Sequence, residues 1–231
     1  MKLAGLQKLT LLDFPGHVAC TVFTAGCNLR CPFCHNSELV LPERKPALMD
    51  EEDFFSFLSK RQGILEGVCV TGGEPLLQQD ISHFLRRIKE LGYAVKLDTN
   101  GCFPEVLRTL VEEGLVDFVA MDIKNSPERY GQTVGIPNFD LTPVRESVDF
   151  LLSGAVDYEF RTTVAAQFHD EQSFEEIARW IAGTKRYALQ EFKDSGDILT
   201  GGLTPCTPAQ MQAFLSIVKP LVPGAFLRGN E

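Results

Sequence analysis

The chain has 231 residues, enough for one large α/β core. Hydrophobic residues make up 44% of it, which excludes a disordered chain, and a net charge of −9 excludes a nucleic-acid partner held through its phosphates. A small anionic cofactor in a local basic pocket is compatible with that charge. No segment approaches the roughly 20 apolar residues of a spanning helix, and Met1-Lys2-Leu3-Ala4-Gly5 lacks the apolar core of a signal peptide. A cytoplasmic protein with no membrane partner is expected.

In chain order, a β-rich run over 18–24 ends at Gly26. Asp50 is placed to cap a helix over 51–62, closed by Gly63. Residues 67–71 read as a short buried strand, and Asp80 starts a helix to Gly92 with Ile81, Phe84, Leu85 and Ile88 on one face. A strand over 93–97, a helix opened by Pro104, a strand over 118–123 and a helix from Thr142 to Gly154 follow. Then come strand 158–164, helix 173–182, strand 187–192 and helix 208–218. The segments 125–143 and 194–207 read as loops at the mouth of the fold. About six strand–helix units, with no linker, predict a single domain over 1–231: a parallel sheet covered by helices. Six units are too few for a closed eight-fold barrel, so a partial barrel or a doubly wound sheet both fit. In either, ligands sit at the C-terminal ends of the strands.

The polar residues that stand out fall at those ends. Cys27, Cys31 and Cys34 form a CxxxCxxC loop directly after the first strand. Seven cysteines in all, an odd number, argue against a disulfide framework, and Cys20 and Cys69 read as small buried hydrophobes. The triplet's spacing permits zinc, with His35, Cys20, Cys69 or Cys102 as a fourth ligand, or a three-cysteine iron–sulfur cubane with one open iron. Gly72 and Gly73 would let backbone approach a ligand, and Glu74 offers a carboxylate to a cation. Asn100-Gly101 has an ordinary explanation as a turn. Asp122 and Lys124 lie two apart and so share a face, where a lysine pointing inward needs an anion. Arg161 and Thr163 also share a face, although Arg161 could instead pair with Glu159 or Asp157 at a strand edge. His17, His83 and His169 read as surface or structural residues.

The run from Leu9 to Val40, with Phe33 just before the third cysteine, resembles the N-terminal part of radical S-adenosylmethionine (SAM) enzymes. Cys34-His35-Asn36 resembles the subgroup that activates glycyl-radical enzymes, and Asp13-Phe14-Pro15-Gly16 looks like the activase of the anaerobic ribonucleotide reductase. The resemblance covers nearly the whole chain and weakens after about Lys193.

It implies an α/β fold, a partial (βα)6 TIM-like barrel, in which Cys27, Cys31 and Cys34 hold one 4Fe–4S cluster whose open iron binds SAM. It implies SAM contacts from Phe33, Gly72, Gly73, Glu74, Asp98, Thr99, Asp122, Lys124, Arg161 and Gln190, with a monovalent cation near Asp98 and Thr99. With no cysteine between Cys34 and Cys69, no ferredoxin-like insert is expected. The implied activity is glycyl-radical formation on a partner, first the anaerobic ribonucleotide reductase, with flavodoxin or ferredoxin as electron donor. The alternatives are a pyruvate formate-lyase-type activase, a small-molecule enzyme such as a deazaguanine-forming synthase, and a zinc or electron-carrier module.

Overall fold

The computed structural model describes residues 1–41, 44, 46–194, 196 and 198–229. Eight strands form one sheet whose order in space is their order in the chain. They are β1 (Leu3–Thr10), β2 (Ala19–Thr24), β3 (Gly67–Gly72), β4 (Ala94–Thr99), β5 (Phe118–Asp122), β6 (Asp157–Val164), β7 (Tyr187–Glu191) and β8 (Ala225–Arg228). β1 runs antiparallel to β2, and each later pair is parallel. The order never reverses, so there is no topological switch point and the doubly wound alternative falls away. β1 and β8 remain as the two edges, which makes the sheet an unclosed barrel wall.

β2 to β7 are the six strands that the hydrophobic runs predict; β1 and β8 are additional. In β1 only Leu3 and Thr10 are buried, because this edge strand is covered poorly and carries no alternating signal. β8 is only four residues long. The helices are α1 (Ser37–Val40), α2 (Glu51–Ser59), α3 (Ile81–Glu90), α4 (Pro104–Glu112), α5 (Tyr130–Thr133), α6 (Thr142–Leu152), α7 (Glu171–Trp180) and α8 (Pro208–Val218). The predicted apolar face of α3 is buried, and Phe84 meets Phe54 and Phe55 of α2 with ring centroids 5.4 Å apart. α2 stops before the expected Gln62: Lys60 closes it with a tight turn, and the Tyr93 hydroxyl donates to the buried Leu58 carbonyl at 2.7 Å. α7 begins at Glu171 because Asp170 and Ser173 form a reciprocal cap. Asp80 precedes α3 but does not cap it with its side chain; its carboxylate faces the Met1 amino group at 2.5 Å.

The segment 125–143 is more than a mouth loop. It contains α5, and Asn125 is buried, donating to Thr133 Oγ1 and to the Phe168 carbonyl, both at 2.8 Å. Positions 195 and 197 of the 194–207 stretch lie outside the described residues. Elsewhere in that stretch the Thr200 amide donates to the Pro32 carbonyl at 3.0 Å, which ties it to the cysteine loop. Among the described residues, no helix is long and apolar enough to cross a membrane.

Candidate active site

Alternation along β4, β5 and β6 divides the sheet into two chemically different faces. Val95 and Leu97, Val119 and Met121, and Phe160 and Val164 enter the apolar core. The intervening residues meet one another across the inner face of the wall. Arg161 Nη1 donates to Asp98 Oδ2 at 3.0 Å and its Nε to Asp122 Oδ1 at 2.5 Å. Lys124 Nζ donates to Asp122 Oδ2 at 2.8 Å, and Lys96 Nζ donates to Asp98 Oδ1. Arg161 therefore turns inward. The alternative partner, Glu159, is buried on the same face of β6 and is taken by Arg228, which donates to both of its oxygens at 2.9 Å.

These groups line a cavity of about 770 Å³ together with the cysteine loop. Its wall contains Cys27, Cys31, Phe33, Cys34, Gly72, Gly73, Asp98, Thr99, Asp122, Lys124, Arg161 and Gln190, so the predicted positions converge on one space. It also contains Lys96 and Asn100, which the sequence did not single out. Asn100 looked like a turn residue, yet its Nδ2 lies 3.8 Å from Cys27 Sγ and donates to Asn28 Oδ1 at 2.8 Å. Cys69 also differs from the expectation. It is buried, but on the polar face, with its thiol 3.7 Å from both Lys96 Nζ and Asp98 Oδ1.

Glu74 is placed differently from the rest. It is fully buried and outside the cavity lining, behind the wall. Its oxygens accept from the Leu76 amide at 3.0 Å, the Thr99 hydroxyl at 2.9 Å and the Asn100 amide at 2.7 Å. Pro75 starts a single 3-10 turn here, which swings the carboxylate across to the end of β4. Glu74 thus staples β3 to β4 instead of facing a ligand. Burial pushes its pKa up to about 7, against the lowering effect of those donors. Since the folded value exceeds the unfolded 4.5, the folded state holds this proton more tightly. Its contribution is full below pH 4.5 and is lost as pH rises to about 7, a swing of roughly 3 kcal/mol. Glu74→Gln is expected to flatten that stretch of the stability profile. Urea unfolding at several pH values, from acid to slightly alkaline, checks it.

The glycines have a second purpose beyond access for a ligand. A Cβ on Gly73 would lie 2.0 Å from the Gly26 carbonyl oxygen, and one on Gly72 would lie 2.3 Å from the Thr24 amide. That contact carries hydrogen bonds from the Gly73 amide to Thr24 O at 2.9 Å and from the Glu74 amide to Gly26 O at 2.8 Å. Asn36 Nδ2 adds a bond to Gly72 O at 3.0 Å. The two glycines therefore lock the base of the cysteine loop to β3. Arg30 braces the loop from within, donating to Cys27 O at 2.8 Å and Leu29 O at 2.7 Å. Phe33 is buried beside Phe168 and His169. His169 is a satisfied structural residue, as expected, with Nε2 2.9 Å from Lys124 O. His35 stacks on Phe192 at 5.5 Å.

Burial pushes the Cys27 thiol up to about 11 and the Cys31 thiol up to about 12, and raises Cys34. Thiolates here need a metal to replace their protons. A cubane spreads its thiolates over three separate irons, and three cysteines on one cavity wall suit it better than they suit zinc. The Leu29 amide, 3.4 Å from Cys27 Sγ, supplies the kind of donor that tunes such a cluster. Burial disfavours the Asp98 and Asp122 carboxylates, but Arg161 and the lysines outweigh it and hold both below the ordinary range. The pocket thus keeps fixed charges of both signs on its wall.

The model of the Radical SAM superfamily matches residues 21–182. A Methanocaldococcus jannaschii protein named as a candidate glycyl-radical enzyme activating enzyme is 34% identical over 202 residues, spanning 84% of this chain and 82% of its own. A 7-carboxy-7-deazaguanine synthase of Koribacter versatilis is 33% identical over 138 residues, which is 58% of this chain and 56% of its own. In fold, the chain is similar to a domain of pyruvate-formate lyase-activating enzyme from Bacteroides vulgatus, with a TM-score of 0.57 and 17% identity, covering 71% of this chain and 99% of that domain. The family match begins within β2 and runs through α7, so it takes in the cysteine loop and every strand that contributes to the charged network. The chain belongs to the radical SAM superfamily and is an enzyme that uses a 4Fe–4S cluster and SAM.

Proposed function

We propose that this enzyme activates a glycyl-radical enzyme, and that the partner is an anaerobic ribonucleotide reductase. The observation that carries the first part is extent. The match to the M. jannaschii protein runs across most of both chains, whereas the match to the deazaguanine synthase covers little more than half of each. The motif Asp13-Phe14-Pro15-Gly16 favours the reductase over pyruvate formate-lyase as partner. The unclosed sheet suits a macromolecular substrate. Leu12, beyond β1, and Arg228 and Gly229, at the end of β8, all line the cavity, so its seam lies between the two sheet edges and could admit an extended loop.

In this reading Cys27, Cys31 and Cys34 hold the cluster. Bound together, the cluster and SAM supply one-electron cleavage of a carbon–sulfur bond and hydrogen abstraction from the substrate. Lys124 and Arg161 present positive charge to the amino-acid carboxylate, and the Gly72-Gly73 backbone approaches its amino group. Asp98 and Asp122 hold those cations in place, Thr99 fixes the end of β4 through its bond to Glu74, Gln190 contributes a polar wall, and Phe33 excludes water. Among the described residues one cysteine trio lines the cavity, and in this reading an external donor, flavodoxin or ferredoxin, supplies the electron in the cytoplasm.

The test is electron paramagnetic resonance. Reduced, reconstituted enzyme with SAM and the reductase is expected to give a glycyl-radical doublet, absent when either protein is omitted. A doublet with pyruvate formate-lyase alone would move the partner. The synthase relative motivates a second reading. SAM cleavage that proceeds only with a purine-like small molecule, and gives no doublet with any glycyl-radical enzyme, would establish that reading instead.

A further inference from the structure

The oxygens expected to hold a monovalent cation are already occupied by protein donors. Asp98 Oδ1 faces Lys96 Nζ, and Oδ2 accepts from Arg161 at 3.0 Å. Asp122 accepts from Arg161 on one oxygen at 2.5 Å and from Lys124 on the other at 2.8 Å. The Thr99 hydroxyl is turned away, donating to Glu74 at 2.9 Å and accepting from the Gly101 amide at 3.1 Å. An alkali ion needs several unshared oxygen lone pairs converging on it. Here each carboxylate oxygen already meets a fixed positive group. Two carboxylates face three cations, so a further positive charge would meet net repulsion. The residues present do not fit the ion.

Lys96 is the member of this set with no assigned role. Its side chain is 2% exposed, and a buried ammonium is tolerated only where its charge is matched. It stands on β4 two residues before Asp98, so strand alternation puts both on the inner face. Its other polar contact among the described residues is the Cys69 sulfur at 3.7 Å, a neutral thiol that burial keeps protonated.

We propose that the Lys96 ammonium is a tethered replacement for the alkali cation, a positioning residue that holds Asp98 toward Arg161 and makes cofactor binding independent of potassium or sodium. This rests on SAM as the ligand of the cavity, and does not depend on which partner is activated. Its advantage is entropic: a covalently attached cation need not be captured from solution.

The test compares potassium chloride with choline chloride at equal ionic strength, about 0.1 M. Two quantities are read: SAM affinity of the iron-loaded enzyme by equilibrium dialysis, and thermal unfolding of the iron-free protein. Wild type should give the same values in both salts. Lys96→Ser, which vacates the space and leaves a hydroxyl, should bind SAM about tenfold more weakly in choline and recover in potassium, with a matching rise in unfolding temperature. Lys96→Met, which fills the space without charge, should be weakened in both salts. Potassium dependence of the wild type overturns the proposal, and that arm stands even if the variants fail to fold. So does a Lys96→Ser enzyme that is unaffected in choline or not rescued by potassium. Wild type that binds no SAM in either salt would instead contradict the identity of the cofactor.

Discussion

Cys31→Ala is expected to remove the iron–sulfur chromophore and reduce SAM cleavage to background while leaving the fold intact. The two halves of this result have different physical origins. Cys31 is buried at the centre of the loop, and its thiol is raised by burial to about 12. As a thiol it contributes little beyond packing, so its removal costs about 1 kcal/mol, as for other small buried truncations. As a metal ligand it is indispensable, since two cysteines cannot retain a cubane that has no fourth protein ligand. Cys69→Ala and Cys206→Ala are the controls: both cysteines are buried, but neither lines the cavity. Iron content, visible absorption and unfolding temperature, measured on the same anaerobic preparations, separate ligand loss from misfolding. Asn100→Ala should lie between, with the cluster assembled but activity lowered about 10–100-fold, because its amide sits beside Cys27 Sγ. If Cys31→Ala kept full iron and activity, the assignment of the loop would fail.

The cysteine loop and the strand ends were legible because local rules suffice for them. Glycine and proline mark the turns, apolar runs mark strands buried on both faces, and side chains two apart on a strand share a face. Asp122, Lys124 and Arg161 were found that way. Lys96 was not, because a lone lysine in a strand reads as solvent-facing; only Asp98 across the pleat and Arg161 from β6 reveal why it is inside. Asn125 and Tyr130 were hidden for a related reason. Prolines and glycines around them signal a loop, but the loop folds back beneath the cysteines, where the Arg30 amide donates to Val134 O at 3.0 Å. The position of Glu74 depended on a single 3-10 turn. For Glu74 and Lys96 a local arrangement is completed by distant partners, Thr99 and Asn100 for the first and Arg161, through Asp98, for the second.

The charged inner face also sets where the fold is most fragile. Parallel strands owe their register to buried apolar side chains, yet β4, β5 and β6 face the lumen with Asp98, Asp122 and Arg161. Arg161 is the only described residue that donates to both carboxylates: its Nε reaches β5 and its Nη1 reaches β4. Arg161→Met fills similar volume but leaves two buried carboxylates facing each other, with one lysine each. Breaking a buried ion pair from one side costs about 3–5 kcal/mol, and the remaining lysines place this case near the lower end. Arg161→Lys should recover only part of the loss, since a point charge cannot span two partners.

The pH dependence gives the more specific signature. Asp98 and Asp122 titrate below their ordinary value of 3.8 in the folded protein, so their stabilisation is present above that value and is lost as pH falls through the folded values. Removing Arg161 weakens this lowering. The stability gap between wild type and Arg161→Met should therefore be widest near neutrality and close as pH falls toward and below 3.8. Denaturant titrations of the iron-free proteins across that range measure it directly. A gap that stayed constant with pH would mean that Arg161 acts through packing alone, and that the charged lumen does not hold the strands in register.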